Sequence, residues 1–195
     1  ELLERLKNND IDLAYRQRLA MKAYSLTAFY DSVIARYFSK LTSQESKYKT
    51  YGFKKESDLR YGENPGQEAA IYDDPFTKGL MDNMEVIHGK EMSYNNYNDL
   101  NPALELAQEL GENAVVALKH QSPCGVAVGS SVYDSYMKAF ECDSQSIFGG
   151  IVAVNGIVDA KAAEKMNEIF LEIIAARDFT KEACLLYTSP SPRDS

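Results

Sequence analysis

Among the 195 residues, Lys119 and His120 carry the most usable chemistry because of where they fall. They sit inside VVALKHQSPCGVAVG, residues 115–129, where five of the six residues from 114 to 119 are apolar and two of those are β-branched. Such a run suits a strand buried on both faces, and charge at its end has little reason to be there unless it is used. Ser122-Pro123-Cys124-Gly125 then reads as the turn that stops the strand, since proline has no N–H for a ladder and glycine permits unusual backbone angles. A lysine and an imidazole at the mouth of a sheet, beside exposed backbone N–H groups, suit an anionic substrate with a proton to lose. The alternative is an ordinary solvent-exposed pair with no role. Successive side chains on a strand face opposite ways, so both reach one site only where the strand gives way to a turn.

Other candidates are looser. Arg60 precedes the turn in LRYGENPGQEAAIY, residues 59–72, and presents a guanidinium either to an anionic group or to a surface carboxylate. Asn95 and Asn96 lie in an amide-rich loop that serves a turn or a polar ligand. Gly149 and Gly150, at a helix-to-strand turn, relieve crowding or let a ligand approach bare backbone.

The elements that must position these residues follow from period. Residues 1–7 read as a short helix, and Asp10 or Asp12 caps a second one of up to about 26 residues. Its apolar positions Leu19, Ala23, Leu26, Tyr30, Val33 and Tyr37 form one stripe, and Tyr24, Phe29, Tyr30, Tyr37 and Phe38 are expected in a core. Residues 41–58 turn polar and lysine-rich and read as an interdomain linker. Asn98 or Asp99 is expected to cap a helix bearing Leu100, Leu104, Ala107 and Leu110, ended by Gly111. Ser131 opens a helix, residues 150–155 form an apolar strand, and Asp159 caps a helix followed by the short run EIIAA. Strands alternating with helices from residue 69 onward indicate an α/β domain with some parallel pairing. Residues 184–195, CLLYTSPSPRDS, abandon that pattern and resemble the translation of a sequencing adapter; they are read as an artefact or a disordered tail without structure.

Composition narrows the classes. A formal net charge of -8 gives a nucleic-acid surface no electrostatic support, so an anionic ligand must be held by a few placed cations. No apolar run is long enough to span a bilayer and the start has no signal-peptide layout, so a cytoplasmic location is expected, with truncation at both ends of the natural chain. Three cysteines at irregular spacing argue against a disulfide framework. Zinc-dependent deamination is suggested by Pro123-Cys124, yet Ala127 stands at the second cysteine position and neither His88 nor His120 is followed by Glu two residues later. No Walker loop, Gly-x-Gly-x-x-Gly or serine elbow is present. What survives is His120 as base, Lys119 as electrostatic stabiliser and Arg60 as anion clamp.

Taken together, RYGENPGQ at 60–67, SYNN at 93–96, KHQSPCGVAVG at 119–129, ECDSQSIFGGIVAVN at 141–155 and NEIFLEIIA at 167–175 closely resemble the bifunctional AICAR formyltransferase/IMP cyclohydrolase family of purine biosynthesis. The resemblance implies formyl transfer from 10-formyltetrahydrofolate, as cosubstrate, to the 5-amino group of AICAR, then ring closure to IMP, with no metal in the transfer. It implies His120 as general base, Lys119 as transition-state stabiliser, and Arg60, Tyr61, Gly149 and Glu172 as AICAR contacts. By the same resemblance, residues 1–40 are the C-terminal helical end of the cyclohydrolase domain, 41–58 the linker, and 59–183 the N-terminal part of the transformylase domain, a cytidine-deaminase-like unit. A homodimer is implied for the full-length protein, with neither nucleic acid nor membrane as partner, and the fragment alone is expected to be inactive. Gly66 stands where the family usually has His, and Ala176-Arg177 replaces its Ala-Pro. A non-catalytic α/β binding or dimerisation module is the competing reading.

Overall fold

The computed structural model describes residues 1–79, 82 and 84–188. The chain divides into two compact units, residues 1–57 with 70–78, and residues 58–69 with 79–195.

In the first unit, helix α1 (Leu2–Lys7) is followed by α2 (Leu13–Thr42), whose N-cap Asp12 accepts the Tyr15 N–H at 2.7 Å. At 30 residues α2 is longer than its apolar stripe predicts, and it stops where Ser43 turns left-handed. The stripe is not buried as expected. Leu26 is 69% exposed, Tyr24, Tyr30, Tyr37 and Phe38 are also exposed, and only Tyr15 and Ser32 are buried on the helix. Among the described residues of this unit, no apolar layer lies opposite that face. Strands β1 (Lys54–Asp58) and β2 (Ala70–Asp73) form a two-stranded sheet. The expected linker is therefore irregular only between α2 and β1, and residues 70–78 group with the first unit rather than with the segment after residue 58. Arg36 reaches from α2 to grip both carboxylate oxygens of Asp74, at 2.6 and 3.0 Å, with its guanidinium over the Phe76 ring.

The second unit is a mixed four-stranded sheet with helices on both faces. Its elements are α3 (Tyr94–Leu110), β3 (Val115–Lys119), β4 (Ser122–Ala127), α4 (Val132–Cys142), β5 (Ile151–Val158), α5 (Ala160–Met166), β6 (Ile173–Phe179) and α6 (Lys181–Thr188). The strand order is β4-β3-β5-β6. β3 pairs antiparallel with β4 and β5, and β5 pairs parallel with β6, so the parallel pairing read from the strand-helix alternation is present at one edge. Alternation along β3 decides the layers. Val115 and Ala117 face α4, α5 and α6 in a cluster with Tyr136, Val152, Val158, Ala163 and Met166. Val116 and Leu118 face α3, packing with Ala103, Ala107 and Ala153. Both faces of β3 are thus dry, which is why its sequence is a continuous apolar run. Asp159 caps α5 as expected, accepting the Ala162 N–H at 2.8 Å.

Two sequence expectations fail here. Ser122-Pro123-Cys124-Gly125 is not a turn but the start of β4: an edge strand tolerates proline, and a bulge opposite Ala117 and Leu118 absorbs Cys124. Gly125 is required there for another reason, since a Cβ would overlap the Ala139 carbonyl oxygen of α4. Structure also does not end at residue 183. α6 continues through Thr188, with Tyr187 donating to the Ala163 carbonyl at 3.1 Å and resting edge-on against Phe179, because its ring fills the hydrophobic cluster. The remainder of the tail read as artefact, residues 189–195, lies outside the described residues.

Candidate active site

Lys119 pairs with Ser122, which leaves His120 and Gln121 as the two-residue connection of the β3–β4 hairpin. Both have positive φ, 51° and 61°. A right-handed sheet twist favours such turns in tight hairpins, but the usual residues are Asn-Gly or Asp-Gly, and a side chain at positive φ is strained. Such a conformation persists only where the surrounding structure holds it in place. The turn solves the facing problem: Lys119 still belongs to the strand while His120 has left it, and both line one cavity.

That cavity measures about 300 Å³. Its walls come from five places. The hairpin supplies Lys119, His120 and Gln121; the loop entering β5 supplies Gly149 and Gly150 with Ile151; Glu172 stands before β6; and the start of α3 supplies Asn95, Asn96, Asn98 and Asp99, with Glu63 beside them. The Lys119 Nζ donates to the Phe148 carbonyl at 2.8 Å, which fixes the ammonium while leaving further N–H donors for a ligand. Gly149 adopts φ 69°, and its N–H is committed to the Phe170 carbonyl at 2.8 Å. The Glu172 N–H donates to the Gly150 carbonyl at 2.9 Å, tying the acidic residue to the glycine loop.

Helix α3 begins earlier than its sequence suggests. Ser93, not Asn98 or Asp99, is the N-cap, in a reciprocal box: the Ser93 Oγ accepts the Asn96 N–H at 3.3 Å and the Asn96 Oδ1 accepts the Ser93 N–H at 2.9 Å. Asn98 and Asp99 are therefore inside the helix and turned to the cavity, while the adjoining Leu100 is fully buried. The Asn96 Nδ2 points to Glu172 at a long 3.5 Å. Asp99 accepts the Gln121 N–H at 2.9 Å, linking helix to hairpin.

Of the residues singled out by sequence, Lys119, His120, Gly149 and Glu172 meet in this cavity, and Asn95 and Asn96 join them. Arg60 and Tyr61 do not line it. Arg60 is exposed with its guanidinium over the Tyr61 ring, 5.4 Å from the centroid. Their turn nevertheless lies over the start of α3, where the Tyr61 carbonyl accepts the Tyr94 N–H at 3.5 Å and the Glu63 carbonyl accepts from Asn95 at 3.1 Å. Glu63, Asn98, Asp99 and Gln121 were missed; reading Ser93-x-x-Asn96 as a capping box would have placed Asn98 and Asp99 on a helix face. Burial pushes the Cys124 thiol up from its ordinary value, and its Sγ donates to the Ala117 carbonyl at 3.5 Å. Among the described residues, no group of three or more His, Cys, Asp or Glu is placed to hold a metal ion.

A family model described as the AICARFT/IMPCHase bienzyme matches residues 1–190. Curated relatives include the bifunctional purine biosynthesis protein PurH of Clostridium acetobutylicum, 48% identical over 177 residues, covering 91% of this chain and 35% of the relative. The PurH of Bacillus cereus is 47% identical over 184 residues, 93% of this chain and 36% of the relative. That of Listeria welshimeri is 50% identical over 172 residues, 86% of this chain and 33% of the relative. The chain spans about a third of the length of the curated relatives it matches.

Proposed function

Because this chain belongs to the AICARFT/IMPCHase bienzyme family, we propose that it supplies the lysine-histidine portion of a formyl-transfer site. In the whole protein that site passes a formyl group from 10-formyltetrahydrofolate to AICAR, and ring closure to IMP follows at a separate centre. The observation that carries this reading is one cavity holding Lys119, His120 and Glu172, with the imidazole delivered by a two-residue turn.

The chemistry suits those groups. The 5-amino group of AICAR is a weak nucleophile beside its carboxamide, so its proton must leave as it attacks, and His120 is the base. The new N–C bond forms, the bond from the formyl carbon to the folate N10 breaks, and the proton ends on tetrahydrofolate. Negative charge gathers on the formyl oxygen between those events, where the Lys119 ammonium stabilises it; its anchorage on the Phe148 carbonyl means that little reorganisation is needed. Glu172 and the α3 amides orient the carboxamide and ribose side of AICAR. At Gly149 a ligand is met by the carbonyl, since the N–H is already bonded. Arg60 and Tyr61 hold the AICAR phosphate, which requires the exposed Arg60 side chain to swing from its own neighbour's ring. No metal takes part in the transfer.

On this reading the second unit is a cytidine-deaminase-like half of the transformylase domain, supported by its mixed sheet with α3 on one face and three helices on the other. Residues 1–40 belong to the end of the cyclohydrolase domain. The whole protein acts in the cytoplasm as a homodimer; in this chain no described helix is long and apolar enough to cross a membrane.

His120→Ala in the full-length protein tests the reading. Turnover is expected to fall about 100- to 10,000-fold, with AICAR affinity by calorimetry nearly unchanged. Retained turnover refutes the base assignment, and an unmutated protein with AICAR affinity but no turnover favours a binding module.

A further inference from the structure

We propose that Asp99 is the positioning residue for His120: its carboxylate accepts the Gln121 N–H and so keeps the strained hairpin turn in the one conformation that aims the imidazole into the cavity. The inference rests on the reading of His120 as the base.

Three observations lead to it. Two consecutive residues with side chains, His120 and Gln121, are held at φ 51° and 61° without the glycine that normally makes such a turn easy. The pairing of Lys119 with Ser122 closes the hairpin but does not by itself choose between this conformation and looser ones. The Gln121 N–H lies in the turn between the paired residues, and it is taken by Asp99 Oδ1 at 2.9 Å.

The anchor is rigid. Asp99 stands one residue before the fully buried Leu100 and three after the nearly buried Asn96, which is itself locked by Ser93. Helix α3 also packs through Ala103 and Ala107 on the same strand, β3, that ends in the turn. The bond therefore closes a short circuit of helix, strand and turn, and the position of the imidazole is set by the helix rather than by the hairpin alone. A base displaced by an ångström is a poor base even when its protonation is right.

The test uses steady-state formyl transfer by the full-length protein with Asp99→Ala, Asp99→Asn and His120→Ala. Asparagine keeps an Oδ1 acceptor without the charge; alanine keeps neither. Asp99→Ala is expected to lower kcat about 10- to 100-fold with KM for AICAR within about three-fold, while Asp99→Asn keeps kcat within about ten-fold of the parent and above the alanine variant. A purely structural role would instead lower the active fraction and the melting temperature of both. Asp99→Ala at the parent's kcat overturns the proposal, and so does Asp99→Asn falling as far as Asp99→Ala, which would make the charge the working feature. If His120→Ala leaves turnover intact, the base reading has failed; if it abolishes turnover while Asp99→Ala does not, only the positioning role has failed. Should Asp99→Ala not fold, amide hydrogen exchange in the unmutated protein decides: the Gln121 N–H is expected to exchange slowly, and exchange at the rate of a free amide overturns the proposal.

Discussion

Helices α2 and α3 carry the same kind of apolar period to opposite outcomes. On α3, Leu100 and Ala103 are fully buried and Ala107 nearly so, the two alanines packing on a strand that is dry on both sides. On α2 the stripe through Leu26, Tyr30 and Tyr37 stays more than half exposed. Period reports which face of a helix prefers to leave water; it does not report whether the cover is present. The first unit is instead tied together by polar contact, the Arg36–Asp74 pair and the rings of Tyr51 and Phe76 around that guanidinium.

The sharpest test of this contrast is Leu100→Ala, which opens a cavity at a sealed position and is expected to cost the second unit about 3 kcal/mol in urea unfolding followed by the β3 amide signals. A loss under about 1 kcal/mol would mean the α3 face is far less sealed than its burial implies. A smaller, pH-dependent effect belongs to the first unit. The Arg36 guanidinium, helped by the Phe76 N–H, holds the Asp74 carboxyl down at about 2, below its ordinary 3.8. A lowered folded value means that the contribution is complete above the unfolded value and disappears as pH falls from about 3.8 toward about 2. The ring signals of Tyr51 and Phe76 should shift in that window, and Arg36→Met should move the midpoint up to the ordinary carboxylate range. An unchanged midpoint would separate Asp74 from Arg36. The smallest effect expected is Leu26→Ser on α2, within about 0.5 kcal/mol. A cost comparable to Leu100→Ala would show that the stripe is covered in solution and would erase the contrast.

Much of the sheet was legible. The β3 run, the β5 run and the Asp159 cap were each carried by strong local signals, and the Lys119–His120 pair stood out because charge closes an apolar strand. What was illegible depended on partners far away in sequence. Pro123 and Gly125 look like turn residues, and only the edge position of β4 and the nearness of Ala139 explain them as strand residues. His120 and Gln121 carry no turn propensity, so nothing local announces that they make the bend. Asp99 resembles a cap because acidic residues favour that place; the capping box at Ser93, six residues earlier, has already taken it. The stripe of α2 misled in the other direction, since a core was inferred from one of its two sides.

The cavity gathers its walls from Glu63 to Glu172, a wider stretch of sequence than either cluster of the core spans. Occupancy by a small molecule is consequently a demanding gauge of nativeness. A species with its helices and central hairpin formed but its last strand undocked would have no Glu172 in place and would bind poorly, however normal its circular dichroism. Ligand at 100 times its dissociation constant would favour the complete form by about 2.7 kcal/mol, so a thermal-shift titration would report on the assembly of the whole unit as much as on affinity.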